Sequence, residues 1–337
     1  MPELTVLFAD AKGAADWEWI RALPAASQLH LIAPGDNREE TLRDLLAQAD
    51  VIVAQTRPIT AELLQAAPRL KLIQCYGRRP VVDHAAARAA GVQVATMPLH
   101  GCIAVAELAI TLLLALSKNL VRAHAATVSG AYRELGVEPI KTEQRKHKFQ
   151  WMNMQPQMLE VVGRTLGIIG YGEIGSETAQ RAQALGMRVL YNKRHRLPHE
   201  VETAEGVSFA GKEELLRDSD FVLLSTPLTA ETEKMIGAPE LAQMKPSAFL
   251  VNICRGGVVD EDALVAALHA RQIAGAGLDV FVYEPIPYDH PLLQCDNVIL
   301  TPHIGGGTGG ARDRQMNDVL INVLAFAQGQ AIAHRVA

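Results

Sequence analysis

Three glycines in one short segment could bind the phosphates of a dinucleotide. Gly170, Gly172 and Gly175 have the spacing G-x-G-x-x-G, between an apolar run and a segment with helical periodicity. In such a turn the first glycine permits a tight bend, the second lets the backbone approach a pyrophosphate, and the third lets the helix pack on the strand. The helix N-terminus adds N–H donors and a positive dipole. This context favours a dinucleotide site over an ordinary glycine turn.

The residues about 20 positions beyond the turn bear on which dinucleotide would bind. A carboxylate there would bind the ribose hydroxyls of NAD, but the chain has Asn192. Lys193, Arg194, His195 and Arg196 follow it directly. Arg and Lys can pair with the 2′-phosphate of NADP through charge-assisted hydrogen bonds. The missing acid and the added cations together predict a preference for NADP, and the alternative is a solvated basic loop at a strand end.

Further candidate residues follow other apolar runs. Arg255, Asp279, Glu284 and His303 lie at or just beyond the ends of three successive runs in the second half of the chain. Ligands of open α/β sheets bind at the carboxyl ends of parallel strands, so we expect these four side chains to lie together. A nicotinamide cofactor leaves the protein to hold the substrate, polarise its carbonyl and move a proton. Each residue alone could be an ion-pair partner, a capping acid or a turn histidine, but together they favour a catalytic site.

The apolar runs themselves predict an α/β protein with mostly parallel sheets. Short β-type runs alternate with Ala- and Leu-rich helical segments, and the pattern restarts after a polar segment at 141–151. One long helix is expected at about 104–128, and a last helix at 312–328 is expected to pack on the first domain. The expected strands are 5–8, 30–32, 51–53, 70–74 and 92–94, then 166–169, 188–191, 221–224, 249–252, 276–280 and 298–301.

Composition excludes several classes of protein. The 337 residues allow about two domains, and 49% hydrophobic with 20% charged residues is typical of a folded globular chain. A net charge of −5 predicts no general attraction to nucleic acid or to an anionic membrane surface. The four cysteines form no C-x-x-C pair, which indicates reduced thiols in the cytoplasm and no zinc site. The N-terminus lacks the features of an export signal, and the apolar run at 102–116 is too short to span a bilayer.

The order and spacing of these segments resemble the D-isomer-specific 2-hydroxyacid dehydrogenase family over nearly the whole chain. The segments concerned are the glycine turn, VAEL at 105–108, TPLT at 226–229, RGGVVDE at 255–261, the Asp279 and Glu284 segment, and TPHIG at 301–305. The resemblance implies two Rossmann-like or flavodoxin-like domains with parallel sheets and an inter-domain cleft. Residues 1–102 with 308–337 would form a flavodoxin-like substrate-binding domain, and 103–307 a dinucleotide-binding Rossmann domain.

The resemblance also implies the reaction and the role of each residue. The activity would be NAD(P)-dependent hydride transfer to or from a small D-2-hydroxy or 2-keto acid, as in a glyoxylate or hydroxypyruvate reductase, without metal and in a homodimer formed through the linking helix. Arg255 would bind the substrate carboxylate, His303 would exchange a proton with the substrate oxygen, and Glu284 would hold the ring and favour its protonated form. Substrate contacts are expected from Tyr76, Gly77, Arg78, Arg255 and His303. Cofactor contacts are expected from Gly170, Tyr171, Gly172, Glu173, Ile174, Gly175, Asn192, Lys193, Arg194, Thr226, Pro227, Cys254, Asp279 and Gly305.

The chain departs from the family pattern in three places. The loop at 75–83 reads CYGRRPVVD in place of a glycine-rich segment, and Arg78 with Arg79 would suit a substrate with a second anionic group, or else face solvent or a partner subunit. His100 adds a titratable group, facing either the cleft or solvent, where the family more often has Pro-Gly-x-Asn. Trp151 lies in a basic segment and could reach across a dimer interface as part of the substrate pocket. A solvated or interface loop is preferred here to nucleic-acid binding, because no recognisable module surrounds it.

Two other functions remain open on the sequence. Phosphite oxidation uses the same scaffold with similar cationic residues, and corepressors related to C-terminal-binding protein use the fold to sense dinucleotides. The short tails favour an enzyme over such an interaction platform.

Overall fold

The computed structural model describes residues 4–10, 13–35, 38–76, 82–139, 141 and 158–336. The chain divides into two compact units, the first formed by Met1–Ile103 with Thr308–Ala337 and the second by Ala104–Gly307. These limits lie within one residue of those expected from the sequence. The described helices are α1 (Ala14–Ala22), α2 (Glu39–Leu46), α3 (Ala61–Gln65), α4 (His84–Ala89), α5 (His100–Ser117), α6 (Leu120–Ser129), α7 (Glu173–Ala184), α8 (His199–Glu205), α9 (Lys212–Asp218), α10 (Ala238–Leu241), α11 (Glu261–His269) and α12 (Ala311–Ala327).

The first unit is built on a five-stranded parallel sheet with the order β2-β1-β3-β4-β5. This is the flavodoxin-like order, which confirms the predicted fold class. The strands are almost wholly apolar because helices cover both faces of a parallel sheet. Their bounds are β1 (Thr5–Phe8), β2 (His30–Ile32), β3 (Val51–Ala54), β4 (Leu72–Tyr76) and β5 (Gln93–Met97).

The last helix, α12, packs on this first sheet, as the sequence predicted. Val319, Leu320 and Val323 are fully buried in one cluster with side chains of β1, β3 and β4. Asn322 on the same face is also buried, and its amide donates to the side chain of Gln74 at 2.6 Å. The buried amides of Asn322 and Gln74 are therefore paired, as burial requires.

The second unit contains a seven-stranded parallel sheet with the order β12-β11-β10-β9-β6-β7-β8. The sequence predicted six of these strands and missed β8, because a two-residue edge strand carries no alternation pattern to detect. The order reverses between β6 and β9, which is where open α/β sheets bind ligands. The strand bounds are β6 (Thr165–Ile169), β7 (Arg188–Asn192), β8 (Ser208–Phe209), β9 (Phe221–Leu224), β10 (Phe249–Asn252), β11 (Gly275–Leu278) and β12 (Val298–Leu300).

The prediction of one long helix at 104–128 was wrong. The chain forms α5 and α6, separated at Asn119, which has a φ of 51°. Asn tolerates this left-handed conformation better than most residues, and a continuous helix cannot contain it. The helix α5 is longer than the apolar run at 102–116, which was predicted to be too short to span a bilayer, and by length and apolar composition it could cross a membrane, which for a single helix is weak evidence. Its side chains Leu112, Leu113 and Leu116 instead belong to the buried cluster under the second sheet.

Candidate active site

The three glycines of the turn after β6 serve different purposes. Gly170 has a φ of +96°, and a Cβ there would lie 2.6 Å from the carbonyl carbon of Ser225. A Cβ on Gly175 would lie 2.7 Å from the carbonyl oxygen of Gly170, so packing requires both glycines. A Cβ on Gly172 would meet no atom within 4 Å. Gly172 therefore borders open space at the start of α7, as backbone binding of a pyrophosphate requires.

Of the other residues in this turn, Tyr171 lies in the core, and Glu173 and Ile174 lie at the start of α7. The Tyr171 ring is buried against Tyr191, with ring centroids 4.7 Å apart, and its hydroxyl donates to Glu205 at 2.7 Å. Because this side chain lies in the core, only the backbone of Tyr171 is left for the predicted cofactor contact. Glu173 and Ile174 form the start of α7 beside Gly172.

Two arginines of the basic segment after β7, Arg194 and Arg196, form ion pairs of different kinds. Arg196 donates to both oxygens of the buried Glu202, at 2.9 and 2.8 Å, and Tyr191 donates to the same carboxylate at 2.7 Å. These hydrogen bonds lower the pKa of Glu202 to about 2. Arg194 is exposed and pairs with Glu231, which is also exposed. Arg196 therefore joins the end of β7 to α8, while Arg194 remains at the surface.

The ends of β7, β9 and β10 carry the next predicted cofactor residues. Asn192 ends β7 and donates to the Ala210 carbonyl at 2.8 Å. Thr226, with Pro227 after it, follows β9, and its backbone nitrogen would lie 2.6 Å from a Cβ on Gly170, so the turns after β6 and β9 touch. Cys254 follows β10 with a buried thiol. Burial raises its pKa, and the neighbouring N–H groups of Arg255 and Thr226 offset this only in part, so the thiol stays protonated.

Arg255 lies beside the loop that carries Glu284. Its side chain is exposed and its guanidinium donates to the Cys254 carbonyl at 2.6 Å. A Cβ on the following Gly256 would lie 1.9 Å from the carbonyl carbon of Phe281. Only glycine permits this approach, which brings Arg255 against the loop at 281–284.

The structure brings His303 and Glu284 into direct contact. His303 Nδ1 lies 2.6 Å from Glu284 Oε2, and Glu284 Oε1 accepts from the Phe281 N–H at 3.1 Å. Burial raises the pKa of Glu284, but the contacts with His303 and Phe281 and the charge of Arg255 outweigh it and leave the pKa below its ordinary value. With Nδ1 engaged, Nε2 is the ring nitrogen left for a substrate. A half-exposed histidine oriented by a carboxylate can act as a general acid or base.

Asp279 holds the loop on which His303 lies. The buried Asp279 carboxylate accepts from the Thr301 hydroxyl at 2.6 Å, the Ile304 N–H at 3.0 Å and the Gly305 N–H at 2.9 Å. These bonds stabilise the loop while His303 has a φ of 54°, which is unusual outside glycine. Thr301 lies in the TPHIG segment, but the sequence pattern assigned it no role. The cofactor contacts of Asp279 and Gly305 stay predictions.

The predicted substrate residues of the first unit are only partly described. Tyr76 ends β4 and is buried, and burial and the nearby Asp10 raise its pKa. Gly77, Arg78 and Arg79 lie outside the described residues, as does Trp151. His100 begins α5, and its Nε2 lies 3.1 Å from Asp318. Within the described ranges, no group of three His, Cys, Asp or Glu side chains could hold a metal ion.

Comparison with known proteins places this site in a family. Residues 110–305, most of the second unit, match the model of the D-isomer specific 2-hydroxyacid dehydrogenase NAD binding domain. The chain belongs to this family. The dehydrogenase is 42% identical to a glyoxylate reductase of Thermococcus onnurineus over 293 residues, covering 86% of this chain and 84% of that protein.

Solved structures agree with this assignment. A glyoxylate reductase from Paecilomyes thermophila is 30% identical with a TM-score of 0.56, covering 100% of this chain and 99% of that one. An acyclic imino acid reductase, Bsp5, in complex with NADPH and D-Arg is 25% identical with a TM-score of 0.54, covering 99% and 100%. The dehydrogenase therefore transfers hydride between a nicotinamide cofactor and a small 2-keto or 2-hydroxy acid.

Proposed function

We propose that this enzyme reduces glyoxylate, or a 2-keto acid of similar size, with NADPH, and that His303 supplies the proton. The observation that carries the proposal is the 2.6 Å contact between His303 Nδ1 and Glu284 Oε2, beside Arg255. The glyoxylate reductase name of its relative supports the choice of substrate. Phosphite oxidation and dinucleotide sensing are not favoured by these relatives.

The proposed chemistry divides among three side chains. When bound, the nicotinamide cofactor supplies a hydride to the carbonyl carbon of the 2-keto acid. Arg255 holds the substrate carboxylate with its planar guanidinium and draws negative charge toward the carbonyl. His303 Nε2 gives its proton to the carbonyl oxygen, which becomes the hydroxyl, and the ring regains a proton from solvent. Glu284 keeps Nε2 directed at the substrate by holding Nδ1. In oxidation His303 takes the proton back.

The substrate proposal is tested by NADPH oxidation against a panel of keto acids. We expect turnover with glyoxylate and hydroxypyruvate. Faster turnover with keto acids that carry a phosphate or a second carboxylate would instead support the second-anion hypothesis for Arg78 and Arg79, and the reverse order would reject it. NADP reduction by phosphite without keto-acid turnover would contradict the proposal, as would cofactor binding with no turnover at all.

The NADP preference rests on the segment after β7. It has no carboxylate at Asn192, and Arg194 is exposed with a partner, Glu231, that is itself exposed. A pair between two exposed side chains contributes little free energy, so a phosphate can displace Glu231 at small cost. Arg196 is excluded from this role because it is bound to the buried Glu202. Arg194 is therefore the side chain that binds the 2′-phosphate in this proposal.

We also propose that the enzyme is a homodimer and that it is located in the cytoplasm. The α6 helix exposes Leu120, Val121 and Val128, with exposed fractions of 56%, 51% and 73%. A group of large apolar side chains on one exposed helix is typical of an interface, and it supports a homodimer formed through the linking helices. The four cysteines are free thiols, which supports a cytoplasmic location.

A further inference from the structure

We propose that Glu261 is a positioning residue for the pair formed by His303 and Glu284, and that His290 holds Glu261 in place. The inference rests on the proposed role of His303. Glu261 Oε1 accepts from the Val282 N–H at 2.8 Å, and Glu261 Oε2 lies 3.4 Å from His290 Nε2. Two Glu–His contacts in the described part of the second unit are thus joined by the loop at 281–284.

The hydrogen bond that His290 accepts indicates which ring nitrogen carries its proton. Its Nδ1 accepts from the Leu292 N–H at 3.3 Å, so the proton lies on Nε2, the nitrogen 3.4 Å from Glu261 Oε2. The contact therefore requires no positive charge on His290. The side chains of His290 and Glu261 are only 17% and 13% exposed, and a carboxylate so far removed from water needs such partners.

Glu261 acts on the catalytic pair through adjacent backbone groups. The Val282 N–H donates to Glu261, and the N–H of the preceding Phe281 donates to Glu284 Oε1. Phe281 is buried in the core of the second unit, but Val282 and Tyr283 are 48% and 70% exposed, so the loop beyond Phe281 has little apolar burial to fix its position. Phe281 is held by core packing and by the close approach of Gly256, and the hydrogen bond to Glu261 anchors Val282.

The start of α11 gives this anchor a rigid base. Glu261 is the first residue of the helix, after the N-cap Asp260, whose carboxylate accepts from the Ala263 N–H at 3.3 Å and pairs with Lys234 at 3.2 Å. A group held on a helix positions its partner more accurately than one on a loop. Removing the Glu261 carboxylate frees the loop at 281–284, and Glu284 then no longer orients His303.

The test compares E261A, E261Q, H290N and the control D262A, which changes an exposed carboxylate in the same helical turn. In E261A we expect kcat to fall on the order of 10- to 100-fold, because misplaced catalytic groups lose rate. The KM for NADPH should stay within about twofold, since the glycine turn is untouched.

The remaining variants separate positioning from general damage. E261Q keeps an acceptor for the Val282 N–H and should restore most of kcat, while D262A should match wild type. H290N can still cap the Leu292 N–H but cannot reach Glu261, so it should show a smaller loss in the same direction. If E261A does not fold, H290N decides the question.

A second measurement is independent of turnover. The NMR resonances of the labelled His303 ring in the protein without cofactor report its bond to Glu284, and we expect them to change in E261A and H290N but not in D262A. Unchanged resonances, together with a wild-type kcat, would overturn the inference. A wild-type protein that reduces no keto acid while these resonances still respond would reject the proposed function alone.

Discussion

At the scale of single residues, the chemistry depends on which groups hold the charged side chains. His303 is held by Glu284, Arg196 by Glu202 and Arg194 by Glu231. The first pair leaves one ring nitrogen for substrate, the second joins structural elements, and the third lies at the surface. Residues of one type therefore have different roles, and two substitutions test them.

Replacing His303 tests proton transfer. In H303Q we expect kcat to fall by about 100- to 10,000-fold, because a glutamine cannot donate and regain a proton in this way. NADPH binding, measured by fluorescence titration, should be unchanged. The control is H30Q, an exposed histidine on β2. Near-normal turnover of H303Q would reject the assignment.

Replacing Arg194 tests cofactor preference. In R194Q we expect the KM for NADPH to rise about 10- to 100-fold, since a hydrogen bond to a charged group contributes roughly 1.5–3 kcal/mol. The KM for NADH should not change, because NADH has no 2′-phosphate. R217Q, at an exposed arginine on α9, serves as the control. Equal kcat/KM for NADH and NADPH in the wild type would contradict the preference itself.

At the scale of elements, the turn between β6 and α7 contains glycines with different roles: Gly170 is required for packing, and Gly172 is available for binding. G170A should destabilise the protein, since a non-glycine residue at positive φ costs about 1–3 kcal/mol and the added Cβ meets the Ser225 backbone. G172A should keep the wild-type Tm, because its Cβ meets open space. It should raise the KM for NADPH at least about tenfold by obstructing a phosphate contact. Thermal melts and steady-state kinetics on both variants check this, and equal Tm losses would contradict it.

The hydrogen bonds of Glu202, which join the end of β7 to α8, predict that the stability of the protein depends on pH. Arg196 and Tyr191 lower the pKa of Glu202 from 4.5 to about 2, so the folded state favours the ionised form. This contribution is complete above pH 4.5 and is lost as the pH falls toward 2. E202Q should therefore have a lower Tm than wild type at pH 6, and the difference should shrink toward pH 2. E213Q, at an exposed position of α9, is the control, and a pH-independent difference would refute the linkage.

At the scale of the whole molecule, the exposed apolar side chains of α6 predict assembly. Sedimentation at micromolar concentration should give a species of twice the chain mass of 36.5 kDa. V128E should shift it toward the monomer, because a charge at an apolar interface must be desolvated. I321E, at a position 56% exposed on α12, should leave the dimer intact. A wild-type monomer would overturn this part of the proposal.

The strands show why prediction succeeded in some places and failed in others. β6 and β10 were located because strands buried on both faces are continuous apolar runs bounded by turns. β8 was missed because two residues form no pattern, and the break at Asn119 was missed because apolar periodicity continues across it. The glycine turn was located because its spacing is local and the backbone geometry depends on each glycine.

The sequence by itself determined the α/β architecture, the dinucleotide turn and the order of Arg255, Glu284 and His303 at successive strand ends. It did so because these features depend on spacing along one strand or turn. The tertiary structure decided which partner each charged side chain has, since Glu202 takes Arg196 and leaves Arg194 exposed. It also decided that Glu261 anchors the loop carrying Glu284, because that contact joins residues 21 positions apart through a backbone N–H that no sequence pattern marks.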